Sequence, residues 1–138
     1  MRWTALLVGL VFAGALAAAE GAIGVIFMDE PSPGVLAHFG GVEAGAVVME
    51  TVENGPAAKA GLRLGDVVIA VNGKPVLDFE DLRKHLGELQ PGAQAEITYR
   101  RHKEKAEGHD ETTLKIDVVD RETFWKTELD KRGVEGKP

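Results

Sequence analysis

The chain contains no cysteine among its 138 residues. This absence excludes disulfide bonds, thiolate-ligated metals and a cysteine nucleophile. Serine is almost absent as well, because Ser32 is the only one and lies between two prolines. A lone serine in such a setting is a poor candidate for an activated nucleophile, which needs a positioned general base. Covalent catalysis by either residue type is therefore not expected.

Long runs of one charge sign are missing too. The chain has 16 Lys and Arg against 22 Asp and Glu, a net charge of −6, and no basic stripe, so nucleic acid is not an expected partner. His38, His85, His102 and His109 show no HExxH or other paired spacing, so neither a metal site nor a cofactor is predicted. The basic run at residues 100–103 is followed by acids and is expected to be solvated.

An apolar run of the length that spans a membrane, about 20 residues, is also lacking. Arg2, the apolar residues 5–16 and three alanines before Glu20 instead match the three parts of a secretory signal peptide. We therefore expect a signal peptide at residues 1–19 and a periplasmic or secreted protein. The alternative is that these residues remain as a membrane anchor. The exported part is expected to comprise a domain at residues 20–120 and a polar tail at residues 121–138.

The exported part predicts a mainly β domain with two helices, an α+β class. Apolar and β-branched runs predict strands at residues 25–28, 46–49, 67–71, 95–101 and 112–119, and helices are predicted at residues 56–60 and 79–89. Asn72-Gly73 predicts a tight hairpin turn, because a type I′ turn needs positive φ at both residues. Pro56 and Gly61 mark the ends of the first helix, and Asp78 is expected to cap the second.

Two other segments predict less regular structure. The prolines in residues 29–34 argue against a helix there, and residues 35–39 have room for one helical turn. The polar tail tolerates helix, and its exception is the pair Phe124-Trp125. This aromatic pair is expected either to cover an edge of the core or to anchor a partner.

Four segments follow one another in an order that few families share. A strand at 46–49 precedes NGPAAKAGL (54–62), then GDVVIAVNGKPV (65–76), a helix, and PGAQAEITYR (91–100). This arrangement resembles the PDZ module that follows the protease domain in bacterial HtrA-type serine proteases such as DegP and DegS. The resemblance extends over residues 21–119 and implies a PDZ-like, partly open β-barrel or sandwich.

The resemblance also implies a site and a function. Such modules bind an extended peptide as an added strand between a sheet edge and a helix. The terminal carboxylate of the peptide is held by backbone N–H groups of a glycine-containing loop. The implied peptide-binding residues are Ala22, Ile23, Gly24, Val25, Ile26 and Phe27 on the loop and strand, and Phe79, Arg83 and Leu86 on the helix. Ala22, Ile23 and Gly24 are expected to offer the N–H groups, and the aliphatic walls favour a hydrophobic last residue.

The loop departs from the family pattern in one respect. Relatives often carry a basic residue before it, whereas no Lys or Arg lies between Ala19 and Gly24. Two outcomes follow: the α-amino group of Glu20 supplies the charge, or the loop is frayed and binds weakly. A GxxG segment by itself is also compatible with a purely structural turn.

The protease domain of the HtrA-type relatives is not matched, since no serine lies in a GNSGG setting. The chain is therefore predicted to be a non-catalytic module that binds C-termini or extended segments of exported proteins. An adaptor or regulator of envelope proteolysis or secretion fits this prediction, with an envelope protease as one candidate partner. The alternative is a structural subunit whose groove is filled by its own chain or by a fixed partner.

Overall fold

Strands and short helices alternate along the part of the chain that the computed structural model describes, residues 21–133. The strands are β1 (Gly21–Ala22), β2 (Val25–Phe27), β3 (Ala46–Thr51), β4 (Val67–Val71), β5 (Lys74–Pro75), β6 (Gln94–His102), β7 (His109–Asp117) and β8 (Val119–Asp120). The helices are α1 (Pro33–Gly40), α2 (Pro56–Ala60), α3 (Phe79–Gly87) and α4 (Arg121–Lys131). The expected signal peptide lies outside the described residues.

One antiparallel sheet organises the molecule. Its strand order is β2-β3-β4-β6-β7, with β5 paired to β4 as a short hairpin. A second, two-stranded sheet joins β1 to β8, so that Gly21 lies opposite Asp120 and Ala22 opposite Val119. The expected α+β, PDZ-like fold is confirmed. In residues 21–133, no helix combines the length and apolar character that crossing a membrane requires.

Local signals account for the turns and helix ends. Asn72 and Gly73 have φ values of 51° and 81°, as the predicted turn between β4 and β5 requires. Gly61 ends α2 in the left-handed region at φ 108°. The Asp78 carboxylate accepts a hydrogen bond from the Asp81 N–H at 2.9 Å and caps α3. These predictions are confirmed, and α3 ends two residues before the predicted Leu89.

The prediction for the segment before β3 was right about helix at residues 35–39 but wrong at Pro33 and Gly34. Residues 33–40 form a helix of two turns, α1, that begins at a proline. Proline is tolerated at the first helical position, since its missing N–H would have had no helical partner there. Ser32 caps the helix by accepting a hydrogen bond from the Val35 N–H at 3.2 Å. The second proline therefore starts a helix rather than preventing one.

The core lies between the sheet and α3. Its fully buried side chains include Ile23, Val48, Val68, Leu82, Ile97 and Ile116. A smaller cluster under α1 contains Leu36, Val47 and Val67. The strand β2 and the helix α3 both contribute to the main cluster. The two elements that flank the candidate groove are thus fixed by the same core.

A buried ion pair fastens β6 to the turn before β4. Asp66 is 1% exposed, and its carboxylate accepts hydrogen bonds from Nε and Nη2 of Arg101, both at 2.7 Å. The Arg63 N–H also donates to this carboxylate, at 2.8 Å. The hydrogen bond to Asp66 raises the pKa of Arg101 above its usual value. The expectation that the basic run is solvated was therefore wrong for Arg101.

Candidate functional site

A groove of about 390 Å³ lies between β2 and α3. All nine residues that the sequence assigned to peptide binding line it, together with four others: Gly21, Leu82, Arg121 and Trp125. On one side β2 pairs with β3, and no other strand of the main sheet, within the described residues, pairs with its second side. The groove thus runs along the free edge of a strand.

The loop before β2 has a backbone shape that only glycine adopts readily. Gly24 has φ 78°, in the left-handed region. A Cβ atom at this position would lie 2.9 Å from Cζ of Phe124 and 3.3 Å from Cδ of Pro56. Both the conformation and the packing therefore require glycine here.

Hydrogen bonds fix the orientation of this loop. The Ala57 N–H donates to the Ile23 carbonyl and the Val52 N–H to the Gly24 carbonyl, each at 3.0 Å. In a trans peptide the C=O and the following N–H point in opposite directions. The N–H groups of Gly24 and Val25 are therefore turned away from these donors. Within residues 21–133, the Gly24 N–H donates no hydrogen bond to a backbone carbonyl of a turn or loop.

The pairing of β2 with β3 leads to the same orientation for the Val25 N–H. Val25 lies opposite Thr51, and the bond from Val52 to Gly24 flanks this pair. A pair flanked in this way is of the non-hydrogen-bonded type, whose own N–H and C=O point away from the neighbouring strand. The sequence analysis assigned carboxylate binding to the N–H groups of Ala22, Ile23 and Gly24, whereas this geometry favours those of Gly24 and Val25. Two adjacent N–H groups can form an anion-binding nest when both point at the same anion.

The walls of the groove are mainly apolar. Ile23 and Leu86, at 2% and 5% exposed, belong to both the core and the groove lining. The rings of Phe27 and Phe79 are 5.6 Å apart and join β2 to the start of α3. Ile26 is 38% exposed, since alternate side chains of a strand point to opposite faces. It contributes mainly its backbone to the groove.

The contribution of α4 was missed at the sequence level. Because Asp120 pairs with Gly21, α4 begins beside the loop before β2. Phe124 packs against the loop at Gly24 and against Gly55, and Trp125 lines the groove. Of the two expected roles for this aromatic pair, covering an edge fits Phe124, whereas Trp125 faces the candidate site. The signal was present in the pair itself, but only the β1–β8 pairing shows where it lies.

The start of α4 is fixed by its cap. The Asp120 carboxylate accepts a hydrogen bond from the Thr123 N–H at 3.0 Å. Hydrogen bonds from the Thr123 side chain, and then from its N–H, hold the pKa of Asp120 below its usual value of 3.8. The charged cap therefore favours the helical state of these residues at neutral pH.

The histidines lie away from the groove. His102 stacks on His38 at a ring distance of 4.9 Å, and Nε2 of His109 lies 2.9 Å from the His38 carbonyl oxygen. Among residues 21–133, no group of three His, Cys, Asp or Glu side chains is arranged to hold a metal ion. These rings link α1 to the β6–β7 hairpin.

A partly open β structure with a groove between an edge strand and a helix defines a PDZ-like fold. A family model described as "PDZ domain" matches residues 21–118. The chain therefore belongs to the PDZ domain family, and the resemblance found in the sequence is confirmed. The helix α4 lies outside the matched residues.

Among curated proteins, the chain is similar to periplasmic proteases. It is 40% identical over 80 residues to a "Probable periplasmic serine endoprotease DegP-like" of Pseudomonas fulva, which covers 56% of this chain and 16% of the relative. A protein of the same description from Brucella suis is 48% identical over 65 residues, covering 47% of this chain and 12% of the relative. The chain thus spans less than a fifth of the length of these relatives.

Solved structures show the same fold. The "HtrA-type protease AlgW with decapeptide" superposes with a TM-score of 0.61 at 26% identity, covering 74% of this chain and 30% of that one. The "HtrA3 PDZ Domain Bound to a Phage-Derived Ligand" superposes with a TM-score of 0.57 at 23% identity, covering 72% of this chain and 85% of that one. At its level of identity, the second comparison concerns the fold alone.

Proposed function

We propose that this protein is an exported, non-catalytic module that captures C-termini or extended segments of other exported proteins. The observation that carries the proposal is the direction of the Gly24 and Val25 N–H groups, which their peptide planes turn away from the donors Ala57 and Val52. These groups stand at the end of an apolar groove beside a free strand edge.

The geometry suits an extended peptide. An added strand can hydrogen-bond to the free side of β2, which supplies affinity that does not depend on the peptide sequence. The terminal carboxylate of the peptide can accept hydrogen bonds from the N–H groups of Gly24 and Val25. The last side chain of the peptide then contacts Ile23 and Leu86, which favours an apolar residue at that position. Arg83, midway along α3, suits an acidic residue further upstream.

The comparisons support the same proposal. One similar structure, at 26% identity, is that of an HtrA-type protease with a decapeptide. The match to the curated proteases covers only a small part of their length. We therefore assign binding and no catalysis to this chain, as an adaptor or regulator of envelope proteolysis or secretion. The names of the relatives support a periplasmic location.

The alternative is a structural subunit with a permanently filled groove. The groove of about 390 Å³ is not filled by residues 21–133, which argues against its occupation by that part of the chain. Of the described chain, α4 lines this space only through Arg121 and Trp125.

A paired peptide screen tests the proposal. The purified protein is exposed to a library of peptides with free C-termini and to a matched library with amidated C-termini. We expect binding that needs the free carboxylate and an apolar last residue, with Kd values of about 1–100 μM, since a single added strand and few side chains are involved. Retention of neither library contradicts the proposal, whereas equal retention of both contradicts capture through the terminal carboxylate and leaves binding of extended segments.

A further inference from the structure

The groove has an end wall that the family match does not include. The matched residues stop at Val118, whereas α4 starts at Arg121. Pairing between β1 and β8 places this start beside the loop, and the Phe124 ring packs against Gly24. The helix is therefore anchored at the end of the groove where the Gly24 and Val25 N–H groups lie.

Two side chains of α4 reach the groove. Arg121 and Trp125 are four residues apart, so they lie on one face of the helix, one turn from each other. Both line the groove. The Phe124 and Trp125 rings meet edge to face at 5.2 Å, so the packing of Phe124 on the loop also positions Trp125.

The electrostatics of this end call for a cation. An ideal Cβ at Gly21 would lie 2.7 Å from the Leu86 carbonyl oxygen in the last turn of α3 and 3.0 Å from that of Leu89 just after it, so the C-terminal end of α3 adjoins the start of the loop. The C-terminal end of a helix carries partial negative charge and disfavours an anion nearby. A carboxylate in an apolar groove also loses hydration, which is costly unless it is paired.

The lining residues supply positive charge at two places. They include Arg83 and Arg121, and no described lining residue is acidic. Arg83 lies one turn before Leu86, toward the Phe79 end of the groove, whereas Arg121 lies at the loop end. No Lys or Arg lies between Ala19 and Gly24.

We propose that α4 is the end wall of the groove, and that Arg121 is the residue that makes the groove select a free C-terminal carboxylate. The inference rests on the proposed function and adds a specificity-determining residue to it. Trp125 forms the apolar part of the same wall. The partner class is thus narrowed to proteins that present a free C-terminus, rather than an internal extended segment.

The test compares two forms of one peptide. Fluorescein-labelled decapeptides ending in valine or phenylalanine are prepared as free acids and as amides. The measured quantity is the ratio of the Kd of the amide to the Kd of the free acid. We expect Arg121→Gln to lower this ratio about five- to tenfold, since a charge-assisted hydrogen bond is lost. Arg121→Lys should retain most of the ratio and Lys126→Gln all of it, because Lys126 is exposed on α4 and does not line the groove. Amide NMR spectra of each variant confirm that α4 is still folded.

Tryptophan fluorescence provides an independent readout. The chain has two tryptophans, Trp3 and Trp125, so Trp3→Phe leaves Trp125 as the sole emitter. Peptide binding in the groove should change its emission with the same Kd that the labelled peptides give. A silent Trp125 during saturable binding would overturn its placement at the ligand.

The outcomes separate the two claims. Wild-type protein that prefers the free acid, with a ratio unchanged in Arg121→Gln, overturns the inference and leaves the proposed function intact. Wild-type protein that binds neither peptide form contradicts the proposed function itself, and the inference falls with it.

Discussion

The two outer strands of the main sheet differ in nearly every property that decides whether a strand can accept a partner. At one edge, β2 has three residues and an apolar groove along its free side. At the other, β7 has nine residues in unbroken register with β6. Its exposed side chains are mostly charged or polar, among them Asp110, Glu111, Lys115 and Asp117. Exposed charge of this kind protects an edge against pairing with another chain.

The difference shows a division of labour within one sheet. The β6–β7 hairpin holds the fold together through its long ladder and through Arg101, which pairs with the buried Asp66. The short β2 adds little to the ladder, but in its loop the Gly24 and Val25 N–H groups are turned away from the donors Ala57 and Val52. We therefore expect substitutions near β7 to change stability and substitutions near β2 to change binding.

The largest expected effect concerns stability on the β7 side. Arg101→Met should lower the free energy of unfolding by about 3 kcal/mol, since it leaves the buried Asp66 carboxylate without its counter-ion and with the Arg63 N–H as a remaining donor. Chemical denaturation measures the loss. Below the unfolding transition, the Kd of the folded protein for peptides should stay within about twofold of the wild-type value. A strong loss of peptide affinity in the folded protein would contradict the separation of stability near β7 from binding near β2.

The second effect concerns binding on the β2 side. Gly24→Leu should weaken peptide binding by at least about tenfold, because a positive φ and a contact with Phe124 both oppose a side chain there. Gly108→Leu is the matched control: its φ is 106°, and an added Cβ would meet only the flexible Lys103 side chain at 3.9 Å. Titration calorimetry should show the weakened Kd in the first variant and unchanged affinity in the folded control.

A smaller effect is expected at the far end of the groove. Phe79→Ala removes the ring contact with Phe27, which is worth about 0.5–1.5 kcal/mol beyond area burial. We expect the Kd to become several-fold weaker, which is the change that the loss of this contact energy corresponds to. We also expect a changed side-chain preference at the third residue from the C-terminal end of the peptide. Leu77→Ala, at a nearby side chain that is 63% exposed and does not line the groove, serves as the control. Equal effects of the two would contradict a role for Phe79 in the groove.

The smallest effect concerns the cap of α4 and its pH dependence. The pKa of Asp120 is lowered by folding, so its charged form stabilises α4 above the usual value of 3.8 and is lost as pH falls through the lowered pKa. The protection factors of the amides in the first turn of α4 should therefore fall only below about pH 4. Asp120→Asn still accepts a hydrogen bond and should remove this pH dependence. Wild-type protein in which the protection of these amides does not change below about pH 4 would contradict the role of the Asp120 cap.

The sequence predicted the fold where the determinants are local. Asn72-Gly73, Gly61 and Asp78 each act on their own neighbours, so their turns and caps were predicted correctly. Pro33 was misread because the same residue excludes a helix interior and favours a helix start, and only the following residues decide between the two. All nine candidate site residues line one groove, yet the N–H groups that face it follow from hydrogen bonds at Ala57 and Val52.

The rest depends on contacts between distant parts of the chain. Arg101 belongs to a basic run that looks solvated until the sheet brings it to Asp66, 35 residues earlier. Arg121 and Trp125 reach the groove only because β8 pairs with β1, about a hundred residues away in the sequence. No pattern within residues 121–138 encodes that pairing. Pairing over such separations is decided by the whole fold.

The most direct test of the account is an amide NMR titration with one decapeptide as free acid and as amide. The account predicts that the free acid shifts the Gly24 and Val25 amide signals most, that the amide form shifts them far less, and that signals of β7 do not move. Equal shifts with both peptide forms, or the largest shifts on β7, would contradict the claim that the loop before β2 holds a chain end.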